Sequence, residues 1–201
     1  MSDLNGYTQS RFSHEGKTRT VFRRGSGPAV LVVSEVPGIT PAVADFGRRV
    51  ADAGFTAVLP SLFGTPGKEP TAASAGSTIA WACVSREFAT WSRNQSSAAV
   101  QWCRALARHE HESCGGPGVG VVGMCLTGNF ALAMMVDPIV AAPVLSQPSL
   151  PFGLSKGHRA DLSMTPSELA TVKARCEAEP DLCVLGLRFT GDKLVPAERF
   201  A

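Results

Sequence analysis

A chain of 201 residues with 44% hydrophobic content and a net charge of +2 is long enough to form one globular domain with a full core. That charge gives no reason to expect nucleic acid or a membrane surface as a partner. No segment is apolar over the width of a bilayer, and Met1-Ser2-Asp3-Leu4-Asn5-Gly6 has no apolar centre of a signal peptide. The six cysteines show neither Cys-x-x-Cys nor zinc-ligand spacing, so a cytoplasmic protein with reduced thiols is expected, without metal or cofactor.

Strand and helix patterns alternate along the chain. Residues 18–23 read as a strand, with Gly25-Ser26-Gly27-Pro28 as the turn after it. The apolar run 29–34 reads as a strand buried on both faces of a parallel sheet. Residues 41–53 form a helical pattern with Val43, Phe46 and Val50 on one face, closed by Gly54. A strand at 55–59 follows, and the Gly-, Pro-, Ser- and Thr-rich stretch 60–77 reads as a long loop. A helix is expected over 98–108, a strand over 118–122, a helix over 130–136 and a buried strand over 139–145. Thr165-Pro166-Ser167-Glu168 is a capping box with proline at the first helical position, predicting a helix to about residue 178. The last expected strand, 182–189, reads as buried. This alternation predicts an α/β protein, three layers deep with a mostly parallel sheet.

The most informative stretch is Val121-Val122-Gly123-Met124-Cys125-Leu126-Thr127-Gly128. A β-branched run ends at Gly123, a cysteine follows two residues later, and helix formers start at once. That is the layout of a nucleophile elbow, a sharp strand-to-helix turn that presents a reactive side chain above a parallel sheet. The reactive atom here is sulfur, and a free thiol, with pKa ~8.5, is readily tuned by its surroundings. Cys83, Cys103, Cys114, Cys176 and Cys183 read as packing residues instead. Trp81, Trp91 and Trp102 are likewise read as packing residues.

Three further stretches stand out beside the elbow: Val32-Val33-Ser34-Glu35-Val36-Pro37-Gly38, Phe55-Thr56-Ala57-Val58-Leu59-Pro60-Ser61-Leu62-Phe63-Gly64 and Gly191-Asp192-Lys193-Leu194-Val195-Pro196. With the elbow they make four separated signatures that resemble the dienelactone hydrolase family of the α/β-hydrolase fold, in that family's order. The resemblance implies a hydrolase of lactones or esters of small carboxylated molecules, acting through an acyl-enzyme on Cys125. Glu35, placed where strand ends open onto a ligand crevice, would contact the thiol and take its proton. Asp192 occupies the place of the triad acid, although a plain Gly-Asp turn is the alternative. The backbone N–H groups of Leu126 and Val36 would form the oxyanion hole. Arg86 lies where the family grips the substrate carboxylate, with an exposed helical arginine paired to an acid as the equal alternative.

Two features depart from the family. Thr127 stands where it usually has glycine. No histidine follows Asp192, since His14, His109, His111 and His158 all precede it, and only His158 lies in a loop that could approach the site. The expectation is therefore a single α/β-hydrolase domain over 1–201 whose C-terminal strand, histidine loop and helix are missing. The competing reading is a catalytically silent hydrolase-like protein that binds a small acid or a protein partner. Gly16-Lys17-Thr18 lacks the upstream glycine of a phosphate loop, and His109-Glu110-His111 points its histidines to different sides of a helix.

Overall fold

In a computed structural model of the chain, residues 3–85, 88, 96–149, 160–192, 195 and 197–200 are described. The described strands form one seven-stranded sheet in the order β1-β2-β4-β3-β5-β6-β7. The first hairpin joins β1 (Thr8–His14) to β2 (Lys17–Gly25) through Glu15 and Gly16, both at positive φ, 46° and 74°. That pairing of left-handed residues is the two-residue turn whose twist suits a hairpin. β1 was not legible in the sequence, because Thr8-Gln9-Ser10-Arg11 is polar and β1 lies at the sheet edge with a largely exposed face.

From β3 (Ala29–Val33) onward the strands run parallel. β3 lies between β4 (Thr56–Pro60) and β5 (Val119–Met124), with β6 (Val140–Ser146) and β7 (Leu185–Leu187) beyond β5. The parallel register sets Val33 beside Gly123, and Met124 beside Ser146, so the ends of β3, β5 and β6 open together at one rim.

Helix α1 (Pro41–Asp52) starts as expected, with Thr40 Oγ1 accepting the Val43 N–H at 3.3 Å and proline at the first turn. The expected loop over 60–77 is corrected: α2 (Ala72–Val84) begins inside it. Ser74, Gly76, Ser77 and Thr78 give this segment the composition of a loop, while its alanines favour helix. α3 (Ala98–Cys114) runs past the expected end at 108, stopping at Gly115 with φ 67°. α4 (Gly128–Met134) continues from the elbow, and α5 (Pro166–Ala178) carries the expected capping box, with Thr165 N–H donating to Glu168 Oε2 at 2.9 Å.

Two strands are less buried than expected. In β6 only Val140, Pro143 and Leu145 are buried, and β7 is three residues long with every residue exposed. The run 182–189 is apolar in sequence, but β7 pairs on one side only, with β6, among the described strands. The cysteines also need correction: Cys103 is buried and Cys114 half-buried, but Cys176 and Cys183 are exposed. Trp102 is buried, with Nε1 donating to the Lys17 carbonyl at 3.0 Å, whereas Trp81 is exposed. Trp91 lies outside the described residues.

Two arginines hold α4, the helix that follows the elbow. Arg104 of α3 is buried, and its Nε donates to the Ala133 carbonyl at 3.2 Å. The same guanidinium pairs with Glu168 of α5 at 2.8 Å, joining three helices. Arg175 of α5 donates to the carbonyls of Met135 at 2.7 Å and Asp137 at 3.0 Å, in the turn that follows α4. Among the described residues no helix is long and apolar enough to cross a membrane.

Candidate active site

The turn after β5 is strained at the residue that matters. Cys125 has φ 54°, a left-handed conformation that is rare for a residue with a side chain and clusters at functional sites. Its neighbours leave no room for alternatives. A Cβ added at Gly123 would lie 2.2 Å from the Thr127 carbonyl oxygen, so only glycine fits beneath the turn. Thr127, the departure from glycine, is fully buried and well used. Its hydroxyl donates to the Val33 carbonyl at 2.8 Å and accepts the Met124 N–H at 3.0 Å, tying the elbow to the end of β3.

Cys125 is half-buried, and its Sγ lies 2.8 Å from Ser149 Oγ. Burial pushes the thiol above its ordinary range, and the charges of Glu35 and Asp192 push it further. The Ser149 hydroxyl and the Leu126 backbone N–H act in the opposite direction, favouring the thiolate. Glu35 is half-buried just after β3, and desolvation raises its carboxyl as well. It lines a cavity of about 390 Å³ with Thr40, Phe46, Met124, Ser146 and Gln147, within the range of small-molecule sites.

Of the six residues singled out in the sequence, Leu126 offers its backbone N–H to Cys125, and the charges of Glu35 and Asp192 act on its thiol. Asp192 sits in a turn after β7, where its Oδ1 accepts the Val195 N–H at 3.2 Å. Val36 follows Glu35 in the loop after β3, with its side chain against the larger core cluster. Arg86 lies outside the described residues, as does His158. The described histidines are engaged elsewhere or remote: His109 stacks on Phe12 of the edge strand β1, His14 faces Glu15, and His111 sits near the end of α3. Among the described residues no cluster of His, Cys, Asp and Glu has the arrangement of a metal site.

The residue that sequence reasoning missed is Ser149. Its signal was available only indirectly, as a hydroxyl shortly after a strand adjacent to the elbow strand. Pro148 holds it in place, because it packs so closely on α4 that a Cβ at Gly128 would lie 2.5 Å from Pro148 Cα. Gly128→Ala is therefore expected to displace residues 147–149, destabilising the fold by about 1–3 kcal/mol. Thermal unfolding measures it; an unchanged midpoint would mean that this segment moves aside freely.

A mostly parallel sheet with a strained cysteine turn at its rim defines an α/β-hydrolase fold. The sequence model of the dienelactone hydrolase family matches residues 18–159, and the chain belongs to that family. Membership sets the reaction class as hydrolysis. No curated protein sequence matches the chain. Among solved structures, a dienelactone hydrolase-like promiscuous phosphotriesterase from metagenomic libraries is similar, with 19% identity and TM-score 0.51 over 90% of this chain and 80% of that one. A structure named m3DLH is similar over 92% of this chain and 82% of that one, with 17% identity and TM-score 0.53. At these identities the likeness concerns the fold.

Proposed function

We propose that the protein is a thiol-dependent hydrolase that cleaves lactones or esters of small carboxylated molecules through an acyl-enzyme on Cys125. The observation that carries this reading is the Cys125 thiol, held at φ 54° in the turn after β5, with the Leu126 N–H favouring its thiolate and the charge of Glu35 acting on it. In the proposed course Glu35 takes the thiol proton as substrate enters, and the thiolate attacks the carbonyl carbon. The N–H groups of Leu126 and Val36 hold the oxyanion. Glu35 then returns its proton to the leaving alkoxide, and water releases the acid from the thioester. Asp192 is assigned to hold the base that activates this water, and Arg86 to bind the substrate carboxylate. The reading takes the protein as cytoplasmic, which the free thiols of Cys103, Cys114, Cys125, Cys176 and Cys183 support.

The direct test is rapid mixing with an activated ester or lactone bearing a carboxylate, followed by acid quench and peptide mass measurement. The acyl mass is expected on the peptide containing Cys125. Acylation confined to Cys176 or Cys183, which are exposed, would overturn the assignment.

A further inference from the structure

The chain returns to the elbow from an unexpected side. β6 runs parallel to β5 with Ser146 beside Met124, so both strands leave the sheet at the same rim. Gln147 then takes φ 36°, Pro148 seats on Gly128, and the Ser149 N–H donates to the Cys125 carbonyl at 3.0 Å. This backbone bond pins Ser149 to the very residue whose sulfur its side chain meets, with Oγ 2.8 Å from Sγ. One residue is therefore tied to Cys125 twice, through main chain and side chain. A surface serine has no need of such an arrangement.

We infer that Ser149 is a positioning residue for the Cys125 thiol, its hydroxyl accepting from S–H at rest and donating to the thiolate once the proton has left. A serine hydroxyl carries one donor and two acceptor lone pairs and rotates freely, so it can partner sulfur in both protonation states without moving its backbone. No bond is made or broken by Ser149. Its effect is on how much thiolate the site holds and where that thiolate points.

The surroundings explain why such a partner matters. The charges of Glu35, in the loop after β3, and of Asp192, in the turn after β7, both act against the thiolate. Burial acts with them against the thiolate. Among the described residues, the groups that favour it are neutral donors, the Leu126 N–H at the start of the elbow turn and the Ser149 hydroxyl. Of these, the Leu126 N–H belongs to the backbone and is built into the turn. Ser149 is the adjustable one. A hydrogen bond to an ionised acceptor is stronger than one between neutral groups, so losing it falls mainly on the thiolate.

This inference rests on Cys125 as the nucleophile, but its test does not need turnover. The rate of iodoacetamide labelling at Cys125, followed by peptide mass across pH, reports the thiolate fraction. Ser149→Ala is expected to move the labelling midpoint up by about one pH unit, slowing labelling about tenfold at neutral pH. The pair Ser149→Thr and Ser149→Val, alike in shape but differing in the hydroxyl, separates hydrogen bonding from packing. Threonine should stay near the wild-type midpoint, and valine should shift with alanine. Equal midpoints for threonine and valine, or an unshifted alanine variant, would overturn the role of Ser149. Ester hydrolysis that survives in Cys125→Ala would instead overturn the proposed function, whatever the labelling midpoints show.

Discussion

Cys125→Ala and Cys125→Ser are both expected to lose steady-state ester hydrolysis by about four to six decades in kcat, as deletion of a nucleophile generally does. Both substitutions keep a Cβ at the strained position, so φ 54° is no more difficult for them than for cysteine. They should therefore fold, and thermal unfolding midpoints near that of the wild type would confirm it. The serine variant is the more informative of the two. A hydroxyl is a far weaker acid than a thiol, and its alkoxide would form between Glu35 and Asp192, whose charges already oppose a thiolate. The Leu126 N–H and the Ser149 hydroxyl would favour that alkoxide as they do the thiolate, but among the described residues no histidine is placed to take the serine proton. Initial rates on an activated ester decide it. A serine variant within about tenfold of the wild type would mean that the site works as serine machinery with a strong base, and the thiol-specific course would be wrong.

Much of this site was legible before the structure, and the reasons are local. An apolar β-branched run that breaks at Gly123 leaves few geometries for the chain, and the contact with the Thr127 carbonyl explains why glycine stands there. Glu35 could be placed because a parallel strand delivers whatever follows it to the same rim, and Val33 pairs with Gly123. The capping box at Thr165 and the start of α1 at Thr40 are decided by neighbours three residues apart, which sequence reports directly.

What escaped the sequence depends on partners far along the chain. β1 is polar enough to pass for loop, and it is a strand because β2 offers it a ladder. α2 hides behind serine, threonine and glycine. The apolar run around β7 reads as buried, yet burial is a property of what lies against a strand, and β7 residues are exposed. Thr127 read as a misfit for a glycine position, and the structure turns it into a bridge to β3, 2.8 Å from the Val33 carbonyl. Ser149 is the sharpest example. Its importance comes from Pro148 meeting Gly128 and from the Met124–Ser146 register, neither of which has a local signature.

Glu35→Gln is expected to move two measurements in opposite directions. If Glu35 carries the proton from thiol to leaving group, removing it should slow acyl transfer from an ester by about two to four decades, the usual contribution of a positioned acid–base group. Iodoacetamide labelling needs only thiolate and no proton donor. Here the sign reverses, because the negative charge of Glu35 raises the thiol and glutamine does not. The labelling midpoint should therefore fall by up to about one pH unit, and labelling near neutral pH should speed up. The effect should be visible only where Glu35 is ionised, which burial shifts toward higher pH than for an exposed glutamate. Below that range the wild-type and glutamine proteins both present a neutral group to the sulfur, and their labelling rates should converge. Glutamine keeps the shape of the side chain in the cavity beside Met124 and Ser146, so packing changes little. Slower hydrolysis with faster labelling is the signature of a carboxylate that both suppresses the resting thiolate and serves the reaction. Parallel loss of both would mark Glu35 as structural support for the elbow, and loss of neither would remove it from the site.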